Sequence, residues 1–210
     1  MSVQEVFNKI MEFDQEGVKR TVETELSNGT KIDVLLNEGL IGAMDEIGDR
    51  FSKGLLFVPE MLMAAQAMKG GLELLKPHLG DNNQASKGTV ITGTVKGDLH
   101  DIGKNLVGMM LEGAGFTVID LGVDVDSDKF LTAAKENNAT IIALSALLTT
   151  TMPRMKEVVK LLVESGERDK IKVMIGGAPV SNQFSQEIGS DGYAEDAAAA
   201  VNLARQLLTS

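Results

Sequence analysis

The sequence contains no cysteine. Disulfides, thiolate zinc sites, iron–sulfur clusters and cysteine nucleophiles are therefore excluded. Histidine is scarce, with two in the whole chain, and the aromatics are limited to seven Phe and one Tyr. Long hydrophobic runs are absent: the longest apolar stretch, around Ile141 to Leu148, falls far short of a membrane span. Basic charge is short as well. Twenty Lys and Arg face thirty Asp and Glu, a net charge of −10. That excess argues against nucleic acid, whose phosphates must be neutralised by Lys and Arg. The opening MSVQEVFNKIMEFDQE places acids where a signal peptide needs a basic head and an apolar run. The expectation is a soluble, cytoplasmic protein with neither nucleic acid nor membrane among its partners.

What is present suffices for a folded protein. A length of 210 residues allows one large domain or two small ones, and 43% hydrophobic residues supply a core. Residues 1–76 read as helices. Ser2-Val3-Gln4-Glu5 has the pattern of a capping box, and Val3, Val6, Phe7, Ile10 and Met11 follow at helical spacing. A second helix carries Val18, Val22 and Leu26 and stops at Asn28-Gly29. A third runs from Thr30 through Ile32, Leu35, Leu36, Leu40, Ala43, Met44, Ile47 and Phe51. A fourth begins near Pro59, a good first-turn residue, and ends before Pro77. Four amphipathic helices with short connections predict an antiparallel bundle. Residues 77–88, PHLGDNNQASKG, are polar, lack an apolar period and read as a linker. The eleven methionines read as adaptable core filler rather than ligands.

From Thr89 the pattern changes. Thr89–Thr94, Phe116–Leu121, Thr140–Ser145 and Ile171–Ile175 are short β-rich runs, separated by helical stretches near 104–114, 127–137, 153–165 and 180–188. A very short fifth strand is expected at Gly192-Tyr193, before a last helix through 197–208. Alternation of this kind implies parallel strands joined by crossovers. The fold class is α/β: a four-helix bundle over 1–76, then a Rossmann-like doubly wound parallel sheet over 89–210.

In such sheets ligands bind beyond the carboxyl ends of the strands. Four loops lie there: 95–103, 122–124, 145–151 and 176–179. A phosphate loop fails, because five residues separate Gly97 from Gly103 and Asn105 stands where Ser or Thr is required. GxGxxG is absent after the first strand. A phosphorylated receiver domain would need Asp at the end of its third strand, where Ser145 stands. His78 falls in the linker. His100 lies in a Gly-flanked loop two residues after Asp98. A neighbouring carboxylate can accept from Nδ1, fix the tautomer and leave Nε2 a better donor to a metal. With no Cys and no second loop histidine, a conventional zinc site is disfavoured. One imidazole can instead serve as the axial ligand of a metal that already has an equatorial ring.

Asp98-x-His100-x-x-Gly103, Ser145-x-Leu147 and Gly176-Gly177, each at a strand end and in this order, resemble the signature of base-off/His-on cobalamin-binding domains. The stretch VKGDLHDIGKNLV is similar to the corrinoid-binding region of methionine synthase and of small corrinoid proteins of methyltransferase systems. The helical bundle resembles the cap of the methyl-carrying branch, with Arg50 to Pro59 as its cofactor-facing stretch. The resemblance implies that His100 replaces the corrinoid's lower base on cobalt, while Asp98 and a hydroxyl residue, here Thr151, complete a proton relay. It implies that Ser145 contacts the displaced base, and that Gly103, Gly176 and Gly177 leave room for the nucleotide tail. Asp101, Ile102, Leu147 and Thr149 fall in the implied corrinoid contact set. Phe51 and Val58 match positions that cover the upper, methyl-bearing face of the cobalt.

The implied function is a methyl carrier cycling between Co(I) and methyl-Co(III), working with a donor-specific methyltransferase, an acceptor methyltransferase using tetrahydrofolate or coenzyme M, and a reductive activase. It is expected to be a subunit without turnover of its own in anaerobic one-carbon metabolism. Three alternatives stand beside it. The small subunit of an adenosylcobalamin mutase would lack this cap. A cobalamin-dependent sensor would need an output domain. A fragment of methionine synthase is disfavoured by the capped first helix and polar tail, which suggest an intact small protein.

Overall fold

The computed structural model describes residues 2–78 and 86–209, so residues 79–85 of the expected linker lie outside the described residues. The chain groups into two compact units, 1–87 with 112–115 and 88–111 with 116–210.

The first unit is helical: α1 (Val3–Met11), α2 (Gln15–Ser27), α3 (Ile32–Val34), α4 (Gly42–Ser52) and α5 (Val58–Leu75). Its core is the apolar face read from the sequence, with Val6, Ile10, Val18, Val22, Leu35, Leu40, Ile47, Met61 and Met68 all buried. Where α2 and α5 meet, a Cβ on Gly71 would stand 2.8 Å from Val18 and 2.9 Å from Leu40, so glycine permits the close approach. Two local readings change. The Ser2 hydroxyl makes no capping bond; the Ser2 carbonyl instead accepts from Glu5 N–H at 2.7 Å. The expected third helix is one run in three registers, because a π-helical segment, Leu35–Ile41, joins α3 to α4. Leu35, Leu36, Leu40 and Ile41 are buried across that wider turn. Caps not read from the sequence order the other starts. Asp14 accepts from Gly17 N–H at 2.9 Å to open α2, and Glu60 accepts from Phe57 N–H at 2.8 Å to open α5.

The second unit alternates strands and helices: β1 (Thr89–Thr94), α6 (Ile102–Gly113), β2 (Thr117–Asp120), α7 (Ser127–Glu136), β3 (Ile141–Ser145), α8 (Pro153–Glu164), β4 (Lys172–Gly176), α9 (Asn182–Ile188), β5 (Gly192–Ala194) and α10 (Ala197–Thr209). All five strands pair in parallel, and the order is β2-β1-β3-β4-β5. Ile91, Ile142, Leu144, Val173 and Ile175 share a core with Phe130, Val158 and Leu162 from α7 and α8. Phe130 lies against β1 at Gly93, where a Cβ would come within 2.6 Å of its ring. The pairing register brings Thr94 opposite Ser145, Ser145 opposite Gly176, and Gly176 opposite Ala194. Residues far apart in sequence therefore line up along one carboxyl edge. The chain leaves β1 for β2 on one side and returns to β3 on the other. The topological switch point, where doubly wound sheets bind ligands, lies between the loops after β1 and β3.

Candidate functional site

The loop after β1 is tied down before it reaches its histidine. Val95 N–H donates to Ser145 O and Asp98 N–H to Val95 O, and Gly97 takes φ +83°, a left-handed conformation that glycine adopts without cost. This turn drives the Asp98 side chain inward, where it is wholly buried. A buried carboxylate must be hydrogen-bonded, and Asp98 is bonded from two loops. Its Oδ1 lies 2.7 Å from His100 Nδ1 and accepts from His100 N–H at 3.2 Å. Its Oδ2 accepts from Leu147 N–H at 2.8 Å and Leu148 N–H at 3.2 Å, and lies 2.7 Å from Thr151 Oγ1. The Thr151 hydroxyl also sits 2.9 Å from the Leu148 carbonyl.

Burial pushes the Asp98 carboxyl upward, but the bonds from His100, Thr151 and Leu147 outweigh it and hold the group well below the usual carboxylate range. An ionised carboxylate can only accept. Nδ1 of His100 is therefore the donor in this bond, an arrangement that in a neutral imidazole puts the lone pair on Nε2. The imidazole itself is 52% exposed, and the Thr94 hydroxyl fixes the His100 carbonyl at 2.8 Å.

Around the imidazole the chain presents apolar side chains to the outside. Leu99, Ile102, Leu147 and Leu148 are all exposed, Ile102 by 78%. Exposed large apolar side chains flanking one polar donor make a surface suited to a broad, largely apolar ligand. No group of three or more His, Cys, Asp or Glu able to hold a metal ion occurs among the described residues. A lone imidazole does not cage a bare ion, but it suits a metal that brings its own equatorial nitrogens, as a corrin does.

The remaining expected site residues divide. Asp101 and Thr149 are exposed on the same loops, Ile102 and Gly103 are exposed at the start of α6, and Ser145 is partly buried at the end of β3. A Cβ on Gly103 would meet no protein atom, whereas one on Gly176 would come within 3.1 Å of Ala194 O. Gly177, at φ +128°, would drive a Cβ to 1.9 Å from the Ala146 carbonyl oxygen. Its lack of a side chain is demanded by the protein's own backbone, whatever lies in the adjoining space. Phe51 is partly buried at the end of α4 and Val58 is exposed at the start of α5. The most exposed apolar side chains of that stretch are Leu55 and Phe57, at 67% and 69%, neither of which helical periodicity singles out.

Sequence reading also missed Lys104. Its side chain is buried, lies 2.5 Å from Asp120 Oδ2 at the end of β2 and donates to Asn105 Oδ1 at 2.6 Å. Nothing in the run Gly103-Lys104-Asn105 signals a partner sixteen residues away; only the pairing of β1 with β2 brings it near.

Comparison with known proteins gives matches over both units. Residues 88–202 match a family described as B12 binding domain, and residues 3–76 match a second family of the same description. Dimethylamine corrinoid protein 1 of Methanosarcina acetivorans is 48% identical over 83% of this chain and 82% of its own. A corrinoid protein of Desulfitobacterium hafniense is 40% identical over 97% of this chain and 96% of its own. Among solved structures, the methanol:cobalamin methyltransferase complex of Methanosarcina barkeri aligns with a TM-score of 0.88 at 32% identity, covering 99% of this chain and 80% of that one. A cobalamin-binding protein of Desulfitobacterium hafniense aligns at 0.81 and 30% identity, with 98% of each chain covered. With relatives of this identity matching along most of its length, and family matches over both units, the chain belongs to the family of B12-binding corrinoid proteins.

Proposed function

We propose that this protein carries a methyl group on a corrinoid cobalt between two methyltransferases, one specific for the donor and one for the acceptor, tetrahydrofolate or coenzyme M. The observation that carries the reading is the Asp98–His100 pair: a buried, ionised carboxylate 2.7 Å from Nδ1 that leaves Nε2 outward within an apolar rim. When bound, the corrinoid supplies a cobalt that accepts a methyl group in one redox state and gives it up from another. The chain's own residues do the rest. His100 Nε2 would hold the cobalt. Asp98 holds the proton on Nδ1 and makes the imidazole more electron-donating, and Thr151 steadies Asp98. Leu99, Ile102, Leu147 and Leu148 exclude water from the lower face. Gly103 leaves open space for the nucleotide tail, beside Ser145, Gly176 and Gly177. Asp101 and Thr149 border the same surface.

Residues 89–210 form the binding domain in this reading, 1–76 the cap, and 77–88 the connection between them. Phe51 and Val58, with Leu55 and Phe57, shield the upper face. The chain has no turnover of its own, and a reductive activase restores it after oxidation. Relatives named for dimethylamine and trimethylamine support a small methylated amine as the methyl source. The test is reconstitution with cobalamin followed by a methyl-transfer assay. Sustained turnover is expected only when a donor methyltransferase and an acceptor methyltransferase are both added. Multiple turnovers by the chain alone, with contaminating partners excluded by mass spectrometry, contradict the carrier reading.

A further inference from the structure

The Asp98 carboxylate is held from the β3 side, by Leu147, Leu148 and Thr151. Its main chain is held from the other side, by a residue of the loop after β2. Asp124 N–H donates to the Asp98 carbonyl at 3.0 Å. Asp124 Oδ1 accepts from Gly97 N–H at 2.8 Å. One residue thus grips the N–H of Gly97 and the carbonyl of Asp98, the two ends of the dipeptide that aims the carboxylate. To turn both its own N–H and its carboxylate toward the same dipeptide, Asp124 takes φ +55°. Few L residues tolerate that left-handed conformation, and Asp is one of them. Lys96 Nζ lies 3.4 Å from both Asp124 Oδ2 and Asp126 Oδ2, giving the carboxylate a countercharge. The β1-side frame is continuous with this grip: Thr94 N–H donates to Gly122 O and Val125 N–H to Thr94 O, while the Thr94 hydroxyl bonds the His100 carbonyl.

We propose that Asp124 is a positioning residue for the axial histidine. It sets the Gly97–Asp98 backbone so that Asp98 Oδ1 stays on His100 Nδ1, and thereby fixes the direction and basicity of Nε2. The proposal rests on the assignment of His100 as cobalt ligand. A role in loop stability alone would leave the hydrogen bond between Asp98 and His100 Nδ1 as it is, and the test reads that difference.

The test uses the full chain, first without cofactor and then loaded with cobalamin. Asp124→Gly keeps the left-handed backbone and removes the carboxylate. Asp124→Asn keeps a neutral acceptor, weaker toward Gly97 N–H than the ionised one. In the cofactor-free protein, nitrogen-15 NMR reads the His100 tautomer. The ratio of Nδ1–H to Nε2–H forms should fall about fivefold in Asp124→Gly, the equivalent of one net hydrogen bond, and by less in Asp124→Asn. In the cobalamin-loaded protein, the Co(II)/Co(I) potential should shift in the same direction as in Asp98→Asn, again in the order Gly, then Asn. A folded Asp124→Gly with the wild-type tautomer ratio and potential overturns the proposal. If Asp124→Gly does not fold, wild-type values in Asp124→Asn overturn it. Failure of the wild-type protein to show a histidine nitrogen on Co(II) would instead sink the His100 assignment, and the cofactor-free tautomer ratios would still report on Asp124.

Discussion

Two clusters of exposed large apolar side chains among the described residues are built in opposite ways. Around His100, Leu99, Ile102, Leu147 and Leu148 surround a carboxylate that is wholly buried and bonded from two loops. Between α4 and α5, Leu55, Phe57 and Val58 are exposed on a connection ordered by a helix cap, the Glu60 carboxylate on Phe57 N–H. The first arrangement fixes one atom, Nε2 of His100, with hydrogen bonds from several elements. The second offers apolar area without fixing any polar atom. The difference teaches where a polar group is fixed and where only apolar area is offered: the first belongs to the sheet unit, the second to the helical one.

The comparison breaks most visibly at Gly177. A Cβ there would stand 1.9 Å from Ala146 O, at φ +128°. Gly177→Ala should cost the sheet unit about 3 kcal/mol, from overpacking and backbone strain together, and abolish cobalamin binding. Urea unfolding and a binding titration check this. A wild-type midpoint would show that the β3 and β4 loops are not locked as described.

Asp120→Ala comes next, because it takes the countercharge from the buried Lys104 amine and leaves it the Asn105 side chain. Removing one partner of a buried pair costs about 3–5 kcal/mol; Asp120 is 46% exposed, so about 2 kcal/mol is expected. Burial raises the Asp120 carboxyl, but Lys104 and Gly122 N–H bring it below its ordinary value. A carboxylate lowered on folding stabilises above its unfolded pKa of about 4 and loses that contribution as pH falls through the lower folded value. The gap between wild type and Asp120→Ala should therefore be full at neutral pH and shrink in acid. A gap independent of pH would mean that packing, and not charge, holds Lys104.

Much of this was legible in the sequence, for identifiable reasons. The β-branched runs Thr89–Thr94 and Thr140–Ser145 left little ambiguity about β1 and β3, and alternation with helices settled parallel pairing. Asp98 and His100 could be paired because only Leu99 separates them. Thr151 could be added only through resemblance, since it lies 53 positions further along the chain. The grip of Asp124, the burial of Lys104 and the collision at Gly177 depend on which strands are neighbours, and strand order is not written in local periodicity. Ser2 failed as a cap because the pattern specifies residue types and not the rotamer that must make the bond. Leu55 and Phe57 were passed over because they lie in a connection, where helical spacing carries no signal.

Thr151→Val gives a smaller effect. It removes one bond to Asp98 while Leu147 and Leu148 N–H remain, so about 1 kcal/mol of stability should be lost. The Co(II)/Co(I) potential should move less than in Asp98→Asn, as redox titration of the cobalamin-loaded variants would show. An equal or larger shift would place the proton relay's control at Thr151 instead of Asp98.

Smallest in affinity are Phe51→Ala and Phe57→Ala. Cobalamin affinity should change by less than about threefold, equivalent to about 0.7 kcal/mol, because the sheet unit supplies the grip. Photolysis of the methylcobalamin-loaded protein should nevertheless be faster. Unchanged photolysis in both variants would remove the helical unit from the role of shield.

The central claim is that His100 Nε2, held by Asp98, is the axial donor to cobalt. Electron paramagnetic resonance of the Co(II) cobalamin-loaded protein, grown with nitrogen-15 histidine, tests it most directly. The account predicts that nitrogen coupling changes from a triplet to a doublet on labelling and vanishes in His100→Ala. A triplet that survives both labelling and substitution would assign the nitrogen to the corrinoid's own base and contradict the account.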